Sequence, residues 1–384
     1  MIILGIETSC DETALALIET RQIAGIFEVR ILASLIHSQA DLHSPYGGVF
    51  PTLAKREHEK HLQPLLDQLL ASQPQKPHID AIAVTEGPGL EPALWTGIVF
   101  AERLANEWGV PVIPVNHMEG HIVGSLLNSD TPDGTWQKLK ELPMPSLAFL
   151  ISGGHTELVT ITQQNEGGIH IPSNPAGADR WLPILGFTGM CMPPSFCYTV
   201  IGATKDDAVG EAFDKVARVL GLPYPGGPQI SRLAEEARAA GIASSVKLPR
   251  PMIHSKDLQF SFSGLKTAVL YAARDAEKAG VFDDIFKKGL AREFEDAVIE
   301  TLSSKLRNAL EQTSAQSLII GGGVSANAML RTAFEAIAQE FGIPIFMPSR
   351  HVSGDNALMI ALAGSLSGAP SSKLKAHGTK KLGA

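Results

Sequence analysis

Two stretches of this chain repeat one pattern, in which an apolar run, a small polar turn and a second apolar run follow each other. In the first stretch, residues 2–6 precede the turn TSCDET and the run ALALIE; in the second, SLAFLI and ELVTI flank SGGHT within residues 146–161. Each stretch predicts a β-hairpin. Because the two copies lie far apart in the chain, they predict two lobes built on the same plan.

The hairpins are followed by alternating helical and strand patterns. After the first hairpin come a helix through KREHEKHLQPLLDQLLA, a buried strand IDAIAVTEG, a helix through ALWTGIVFAERLANEWG and a strand VPVIPV. After the second come helices near 208–220, 229–240, 286–313 and 326–341, strands SLIIGGG and PIFMPS, and a last helix near 354–367. This alternation predicts an α/β fold with mostly parallel, helix-covered sheets.

The length of 384 residues also favours two lobes, because it exceeds what one hydrophobic core usually serves. We assign residues 1–115 to an N-terminal lobe, with the helix near 354–367 as a candidate to complete it, and residues 116–384 to a C-terminal lobe. Residues 164–200 are nearly uncharged and rich in Pro, Gly and aromatic residues. That composition predicts an inserted loop in the second lobe.

The charge balance bears on possible partners. The chain has 32 Lys and Arg against 40 Asp and Glu, a formal net charge of −8. It therefore offers no overall attraction to a phosphate backbone, and nucleic-acid binding needs a local basic face or a partner protein. The tail KLKAHGTKKLGA carries four lysines and no acidic residue. We expect it to be a frayed, solvated terminus, with an RNA contact as the alternative.

Cysteine content and hydrophobicity indicate the compartment. Three cysteines, Cys10, Cys191 and Cys197, are too few for a disulfide framework, and their odd number fits a reducing environment. The N-terminus lacks the basic flank and long apolar stretch of a signal peptide, and no run approaches the roughly 20 apolar residues that span a bilayer. We therefore expect a cytoplasmic protein without membrane contact.

The segment NHMEGH has metal-ligand spacing. His117 and His121 are four residues apart, so on a helix they share one face and can bind one cation, although surface histidines also recur at this spacing. Asp355 in SGDNALMI is a candidate third ligand or, equally, the N-cap of the last helix. HMEGH is not the HExxH motif of zinc peptidases, because Glu119 is off the metal face.

Four turns rich in glycine or hydroxyl residues lie at 7–12, 151–156, 224–228 and 321–327. Small residues let backbone N–H groups close on a phosphate or ribose, and a turn that opens a helix adds a favourable dipole. Each turn alone is also explained by tight backbone geometry. Together they favour a nucleotide site, although none matches a P-loop or the Rossmann fingerprint.

Two further residues have both a functional and a structural interpretation. Asp214 in GEAFDK lies near the boundary of a helix's apolar face, where it is either a solvated acid or the acceptor of two ribose hydroxyls. Lys266 in FSFSGLKT either meets an anion or has only local contacts. The sequence alone leaves both alternatives open.

The ordered motifs GIETSCDET, KREHEKH, GPGL, NHMEGH, ISGGHTEL, GEAFDK, YPGGP, FSFSGLKT, GGGVSAN and SGDNALMIA run from about residue 2 to 365. Together they resemble the TsaD family of bacterial tRNA N6-adenosine threonylcarbamoyltransferases, once described as glycoprotein endopeptidases. The resemblance implies an actin/Hsp70/sugar-kinase-like (ASKHA) fold, with two related lobes and a nucleotide cleft between them.

The resemblance also implies a set of site residues. His117, His121 and Asp355 match the family's ligands for one divalent metal, iron or zinc. The loop Leu150, Ile151, Ser152, Gly153 and Gly154 matches the part that faces the metal and the acyl-phosphate end of the substrate. Asp214, Gly227 and Asn327 match the adenosine-binding positions, which ATP or ADP can also occupy.

The activity implied is transfer of a threonylcarbamoyl group from threonylcarbamoyl-AMP to N6 of the adenosine 3′ to the anticodon, in tRNAs reading codons that begin with A, with release of AMP. Glu12 and Ser152 are the candidate catalytic residues, although an ionised Glu12 would repel a nearby phosphate. The partners implied are tRNA, a paralogous actin-like protein (TsaB-like) and a small ATPase (TsaE-like).

The chain departs from the family pattern in two places. Asn116 stands where a histidine often precedes HMEGH, and the loop at 164–200, with Cys191 and Cys197, is longer than usual. We expect that loop to serve packing or partner docking; the alternative is a metal site at its two cysteines.

Two other functions fit parts of the sequence. One is a catalytically silent actin-like scaffold of the same complex, which would be expected to lose the metal ligands that are present here. The other is a small-molecule kinase of the same fold, which would need a catalytic Asp beside a sugar pocket and no paired histidines.

Overall fold

The computed structural model describes residues 1–24, 26–128, 131–163, 196–349, 352–366 and 369–383. In this part of the chain a first sheet has the strand order β5-β4-β1-β2-β3-β6. Its strands are β1 (Ile2–Glu7), β2 (Glu12–Ile23), β3 (Ile26–Ser38), β4 (Ala81–Gly87), β5 (Val112–Asn116) and β6 (Trp136–Lys138). The strands β1, β2 and β3 pair antiparallel, whereas β4 and β5 join β1 in parallel.

The second sheet repeats this plan with the order β11-β10-β7-β8-β9. Its strands are β7 (Ser146–Ile151), β8 (Thr156–Gln163), β9 (Phe196–Ala203), β10 (Ser317–Gly321) and β11 (Ile345–Phe346). Here too, three consecutive strands pair antiparallel and two later strands extend the sheet in parallel beside the first of them. The predicted two-lobed α/β fold, with a duplicated hairpin, is therefore confirmed.

Helices cover the sheets. They are α1 (Ala40–His43), α2 (Pro51–Ala71), α3 (Glu91–Trp108), α4 (His117–Gly124), α5 (Val209–Val219), α6 (Gly226–Ala239), α7 (Ser263–Lys278), α8 (Asp284–Gln312), α9 (Ala328–Phe341) and α10 (Ala357–Leu366). Apolar residues of α2 and α3 pack on one face of the first sheet, and those of α10 pack on the other. None of the described helices combines the length and the apolar composition that a membrane crossing requires.

The close packing of α10 fixes the position of the segment before it. A Cβ atom at Gly5 of β1 would lie 2.3 Å from the carbonyl oxygen of Ala357, so only glycine allows this approach. The first turn of α10 is thereby held against the middle of β1. Asp355, two residues earlier, consequently lies near the end of that strand.

Helix α4 lies between the two lobes. Val123 packs in the cluster formed by the first sheet and α10, whereas Met118 and Ile122 pack in a cluster with β7, β8 and β10. Burial on both sides orients this short helix by contacts with each lobe. The two histidines of α4 are therefore placed at the junction of the lobes.

The structure corrects some boundaries. Residues 196–200, which we assigned to the inserted loop, begin strand β9; residues 164–195, with Cys191, lie outside the described residues. Cys197 lies in β9 and is exposed. Strand β6 comes from the stretch that we assigned to the second lobe, yet it pairs with β3 of the first sheet.

The C-terminal tail is not a frayed terminus, so that expectation was wrong. The amide of Ser371 donates to the carbonyl of Val112 at 2.9 Å, and the amide of His377 donates to that of Glu86 at 2.8 Å. Leu382 is 6% exposed and packs in the same apolar cluster as α4 and the second sheet. Apolar burial and backbone pairing hold the tail across both lobes.

Candidate functional site

Three side chains converge at the junction of the lobes. The Oδ1 atom of Asp355 lies 3.3 Å from Nε2 of His117 and 3.2 Å from Nε2 of His121. The two imidazole rings meet edge to face with their centroids 4.7 Å apart. All three ligand atoms lie within 4.8 Å of one another, so this group could hold a metal ion.

Two asparagine caps place these groups. The side-chain oxygen of Asn116 accepts hydrogen bonds from the amides of Met118 and Glu119, so α4 begins at His117 and its two histidines are one turn apart. The side-chain oxygen of Asn356 accepts from the amide of Met359 at 3.0 Å and caps α10. The alternative role of Asp355 as N-cap is therefore wrong, and its carboxylate is available to the histidines.

The donor set fits a divalent transition metal. The Nε2 atom of His121 is buried, and its one close acceptor among the described residues is Oδ1 of Asp355, 3.2 Å away, which it shares with His117. A buried nitrogen that shares its only acceptor in this way is poorly satisfied, and coordination to a metal ion would satisfy it. Two imidazole nitrogens and one carboxylate oxygen are ligands that zinc and ferrous iron accept.

Glu7 contacts the His117 ring on the side opposite Asp355, and the sequence alone did not indicate this residue. It is fully buried at the end of β1, and its Oε2 atom lies 3.0 Å from Nδ1 of His117. The hydroxyl of Thr85 donates to the same oxygen at 2.6 Å, and the amide of Ser9 donates to the other. Glu7 thus holds the proton on Nδ1, so that Nε2 faces Asp355, as carboxylates behind metal-binding histidines do.

The protonation of the metal-free group follows from these contacts. Burial opposes the charge on Asp355, but attraction to His117 dominates and lowers the pKa of that carboxyl. Burial also opposes a charge on His117, yet Asp355 and Glu7 raise its pKa well above the usual value. Burial lowers the pKa of His121. In the metal-free group the His117 imidazolium therefore supplies the positive charge between the Glu7 and Asp355 carboxylates.

Glu12 lies at the start of β2, beside the same acidic group. Burial, followed by the negative charges of Asp11 and Asp355, raises the pKa of Glu12 well above the usual value. The neighbouring Asp11 accepts a hydrogen bond from the hydroxyl of Tyr224 at 3.1 Å. The raised pKa of Glu12 reduces the repulsion that its side chain would exert on a phosphate.

The loop from Leu150 to Gly154 ends β7 with an open backbone. A Cβ atom at Gly153 or Gly154 would have no neighbour within 4 Å among the described atoms, so small groups can approach these glycines. The Ser152 hydroxyl accepts from the backbone amide of His155 at 3.1 Å, which ties it into the turn. Ile151 packs against Gly322, whose φ of +90° places it in the left-handed region.

Each of the three candidate adenosine-binding residues belongs to α6 or contacts it. Asp214 accepts a hydrogen bond from the amide of Gly226 at 2.7 Å, and Gly227 has open space where a Cβ would be. The side-chain amide of Asn327 donates to Ser231 at 2.8 Å and to Glu295 at 2.6 Å. The side-chain oxygen of Asn327 accepts from the amide of Leu330 and so caps α9. Both polar atoms of this side chain are therefore engaged, and their contacts position the loop that carries Asn327.

A cavity of about 300 Å³ opens between the lobes beside Asp214. It is lined by Ser44, Pro45, Tyr46, Gly47, Asp214, Arg218, Gly221, Leu222, Pro223 and Tyr224. The Arg218 side chain donates to the carbonyl of Gly47 across this gap. Burial raises the pKa of Asp214 to about 6. The cavity therefore offers a carboxyl group that titrates just below neutrality.

Fold and site together define a duplicated, two-lobed α/β protein with a group competent to bind metal where the lobes meet. Residues 30–170 and 192–362 match the family model described as TsaD: tRNA N6-adenosine threonylcarbamoyltransferase. The chain belongs to this family.

Individual relatives agree with the family match. A protein named tRNA N6-adenosine threonylcarbamoyltransferase in Burkholderia mallei is 43% identical over 370 residues, which cover 95% of this chain and 92% of the relative. A protein of the same name in Burkholderia vietnamiensis is 42% identical over the same shares. Among solved structures, HypF of T. kodakarensis is 12% identical with a TM-score of 0.49 and covers 95% of this chain and 48% of that chain.

Proposed function

We propose that this protein transfers the threonylcarbamoyl group of threonylcarbamoyl-AMP to N6 of the adenosine 3′ to the anticodon, in tRNAs that read codons beginning with A. The observation that carries the proposal is the convergence of His117, His121 and Asp355 at the junction of the lobes, in a chain that belongs to this family. AMP is the second product.

His117, His121 and Asp355 would hold one ferrous or zinc ion, with Glu7 fixing the orientation of His117. Such an ion, when bound, polarises a carbonyl or phosphoryl oxygen as a Lewis acid. It would also offset the negative charge of Glu7, Asp11 and Asp355, without which this region would repel an adenylate. Cation binding and substrate binding are therefore coupled through charge.

We place the adenosine moiety at the interlobe cavity, which Asp214 lines, and assign a role in binding it to three residues. Asp214 accepts hydrogen bonds from the two ribose hydroxyls, and the open backbone at Gly227 allows close approach of the nucleoside. Asn327 acts by positioning its loop, because its side chain is already engaged. ATP or ADP would occupy the same pocket through the same contacts.

The reacting end of the substrate lies against the loop from Leu150 to Gly154, whose backbone amides face developing negative charge. The N6 amine attacks the carbamoyl carbon, the bond from that carbon to the phosphate oxygen breaks, and N6 releases one proton to solvent. Glu12, whose pKa is raised by burial and by neighbouring carboxylates, is the candidate to donate a hydrogen bond to the departing phosphate when it carries a proton. Ser152 shapes the turn through its contact with His155.

The acidic net charge supports a shared tRNA surface, supplied in part by partners. We propose a paralogous actin-like partner and a small ATPase, acting with this chain on tRNA in the cytoplasm.

We also place the boundary between the lobes near residue 116, where β5 ends and α4 begins, with α10 returning to the first lobe.

The proposal is tested by reconstitution. The purified protein, its two partners, threonylcarbamoyl-AMP and unmodified tRNA are incubated, and the nucleosides are quantified by mass spectrometry. We expect the modified adenosine with wild-type protein and with the surface control His78→Ala, and a loss of at least 100-fold with Asp355→Ala. Unmodified adenosine in the wild-type reaction, or full activity of Asp355→Ala, would contradict the proposal.

A further inference from the structure

A second group of metal-ligating side chains lies on the first lobe, away from α4. It consists of His37 on β3 and of Glu57 and His61 on α2. The ligand atoms of these three residues lie within 4.8 Å of one another. The Nε2 atom of His61 is 3.1 Å from Oε2 of Glu57, and the rings of His37 and His61 stack with centroids 3.7 Å apart.

Two rigid elements hold this group. Glu57 and His61 are four residues apart on the 21-residue helix α2, so they occupy one face of it. His37 is held in β3 by pairing with Thr13 of β2. The side chains of His61 and Glu57 are 22% and 20% exposed, so the group is accessible from solvent but largely covered. An ion at this position would join α2 to β3.

The charges of the group favour a cation. The Oε2 atom of Glu57 lies within hydrogen-bond distance of both the His61 ring and the Lys60 ammonium, so the carboxylate already attracts positive groups. The Lys60 ammonium, 3.3 Å from Oε2 of Glu57, is the cation that an ion would displace.

We propose that His37, Glu57 and His61 form a second site for a divalent transition metal of the zinc class. Ligands of a tetrahedral zinc ion lie about 3.4 Å from each other, close to the separation of the His61 and Glu57 atoms. Binding turns the stacked rings until a nitrogen of each points at the ion. Imidazole ligands favour zinc and similar ions over calcium and magnesium, which prefer oxygen.

This site is independent of the proposed reaction. Its three ligands share no residue with the group formed by His117, His121 and Asp355, and they come from different elements. With three protein ligands, a tetrahedral ion at this site would take a water molecule as its fourth ligand, and Glu57 is the one carboxylate in the group. Its expected effect is structural, because the ion holds a helix to the hairpin on which that helix packs.

The experiment strips the protein with a chelator, reloads it with excess zinc, removes unbound zinc by dialysis and measures the zinc that remains per chain. We expect two zinc ions per wild-type chain, one in His61→Ala, one in His117→Ala and none in the double variant. The control His78→Ala changes a histidine that is 89% exposed and 3.9 Å from Asp80, and it should still bind two. Glu57→Gln keeps the size of the side chain and should bind zinc at this site more weakly.

Thermal unfolding gives a second measurement. Zinc should raise the melting temperature of His117→Ala, in which only the proposed site remains, and should not raise that of the double variant. The same stoichiometry in wild-type protein and folded His61→Ala would overturn the proposal. Loss of zinc in His117→Ala alone would concern the other site only, so the two proposals fail separately.

Discussion

A single buried carboxylate, Glu7, determines which nitrogen of His117 faces Asp355. Its charge and its hydrogen bond to Nδ1 both favour metal binding through Nε2. The variant Glu7→Gln keeps the shape of the side chain but removes the charge. We expect its zinc or iron affinity to fall roughly 10- to 100-fold, measured by competition with a chromophoric chelator.

The matched control for Glu7→Gln is Glu59→Gln, which changes an acid whose side chain is 55% exposed on α2. That variant should keep the wild-type affinity of the first metal site. If Glu7→Gln bound metal as tightly as wild-type protein while remaining folded, Glu7 would have no part in orienting His117.

The raised pKa of Asp214 predicts that nucleoside binding depends on pH. Burial raises its pKa to about 6, so the side chain is ionised at neutral pH and becomes protonated as the pH falls through that value. The ionised form accepts stronger, charge-assisted hydrogen bonds from the two ribose hydroxyls than the protonated form does. Adenosine binding should therefore be roughly tenfold weaker at pH 5 than at pH 7, measured by calorimetry.

Adenosine is the suitable probe because it carries no phosphate that titrates in this range. The variant Asp214→Asn should bind more weakly at neutral pH and should lose most of the pH dependence. An Asp214→Asn profile as steep as that of the wild-type protein would assign the titration to another group.

Residues near each other in the chain were predictable, and residues brought together by the fold were not. The four-residue spacing of His117 and His121 indicated one helix face before any coordinates. Glu7 carries no such spacing, because the fold alone brings it to His117, 110 positions away. Glu295, which holds Asn327, was missed for the same reason.

At the scale of elements, local patterns predicted the hairpins and long helices but not their ends. The residue that caps α10 is Asn356 and not the adjacent Asp355, and only the backbone path distinguishes them. Strand β3 and helix α7 were not predicted at all. Both have mixed burial with partly exposed faces, which weakens the periodicity on which such predictions depend.

At the scale of the molecule, duplication explains where the site lies. In each lobe a small polar turn joins the two strands of the hairpin, at residues 8–11 in the first lobe and 152–155 in the second. With α4 packed between the lobes, its histidines lie near Glu7 at one turn and His155 at the other. The sequence predicted two hairpins, but only their packing with α4 brings both turns to one site.

The C-terminal tail joins the lobes, and this arrangement predicts a coupling between its two ends. Leu374 is 7% exposed and packs in the core of the first lobe, whereas Leu382 is 6% exposed and packs beside the second sheet. Either Leu→Ala substitution should lower the free energy of unfolding by about 2 kcal/mol or more, measured by urea denaturation.

If the tail joins the lobes as one unit, the losses of unfolding free energy caused by Leu374→Ala and Leu382→Ala should not add. Once Leu382 no longer anchors one end, the segment can leave the surface, so Leu374→Ala should cost less in that background than in wild-type protein. The matched control pairs Leu374→Ala with Leu310→Ala on α8, a buried leucine in the other lobe, where the losses should add. Additive losses for Leu374 and Leu382 as well would mean that each end of the tail packs on its own lobe without joining the two.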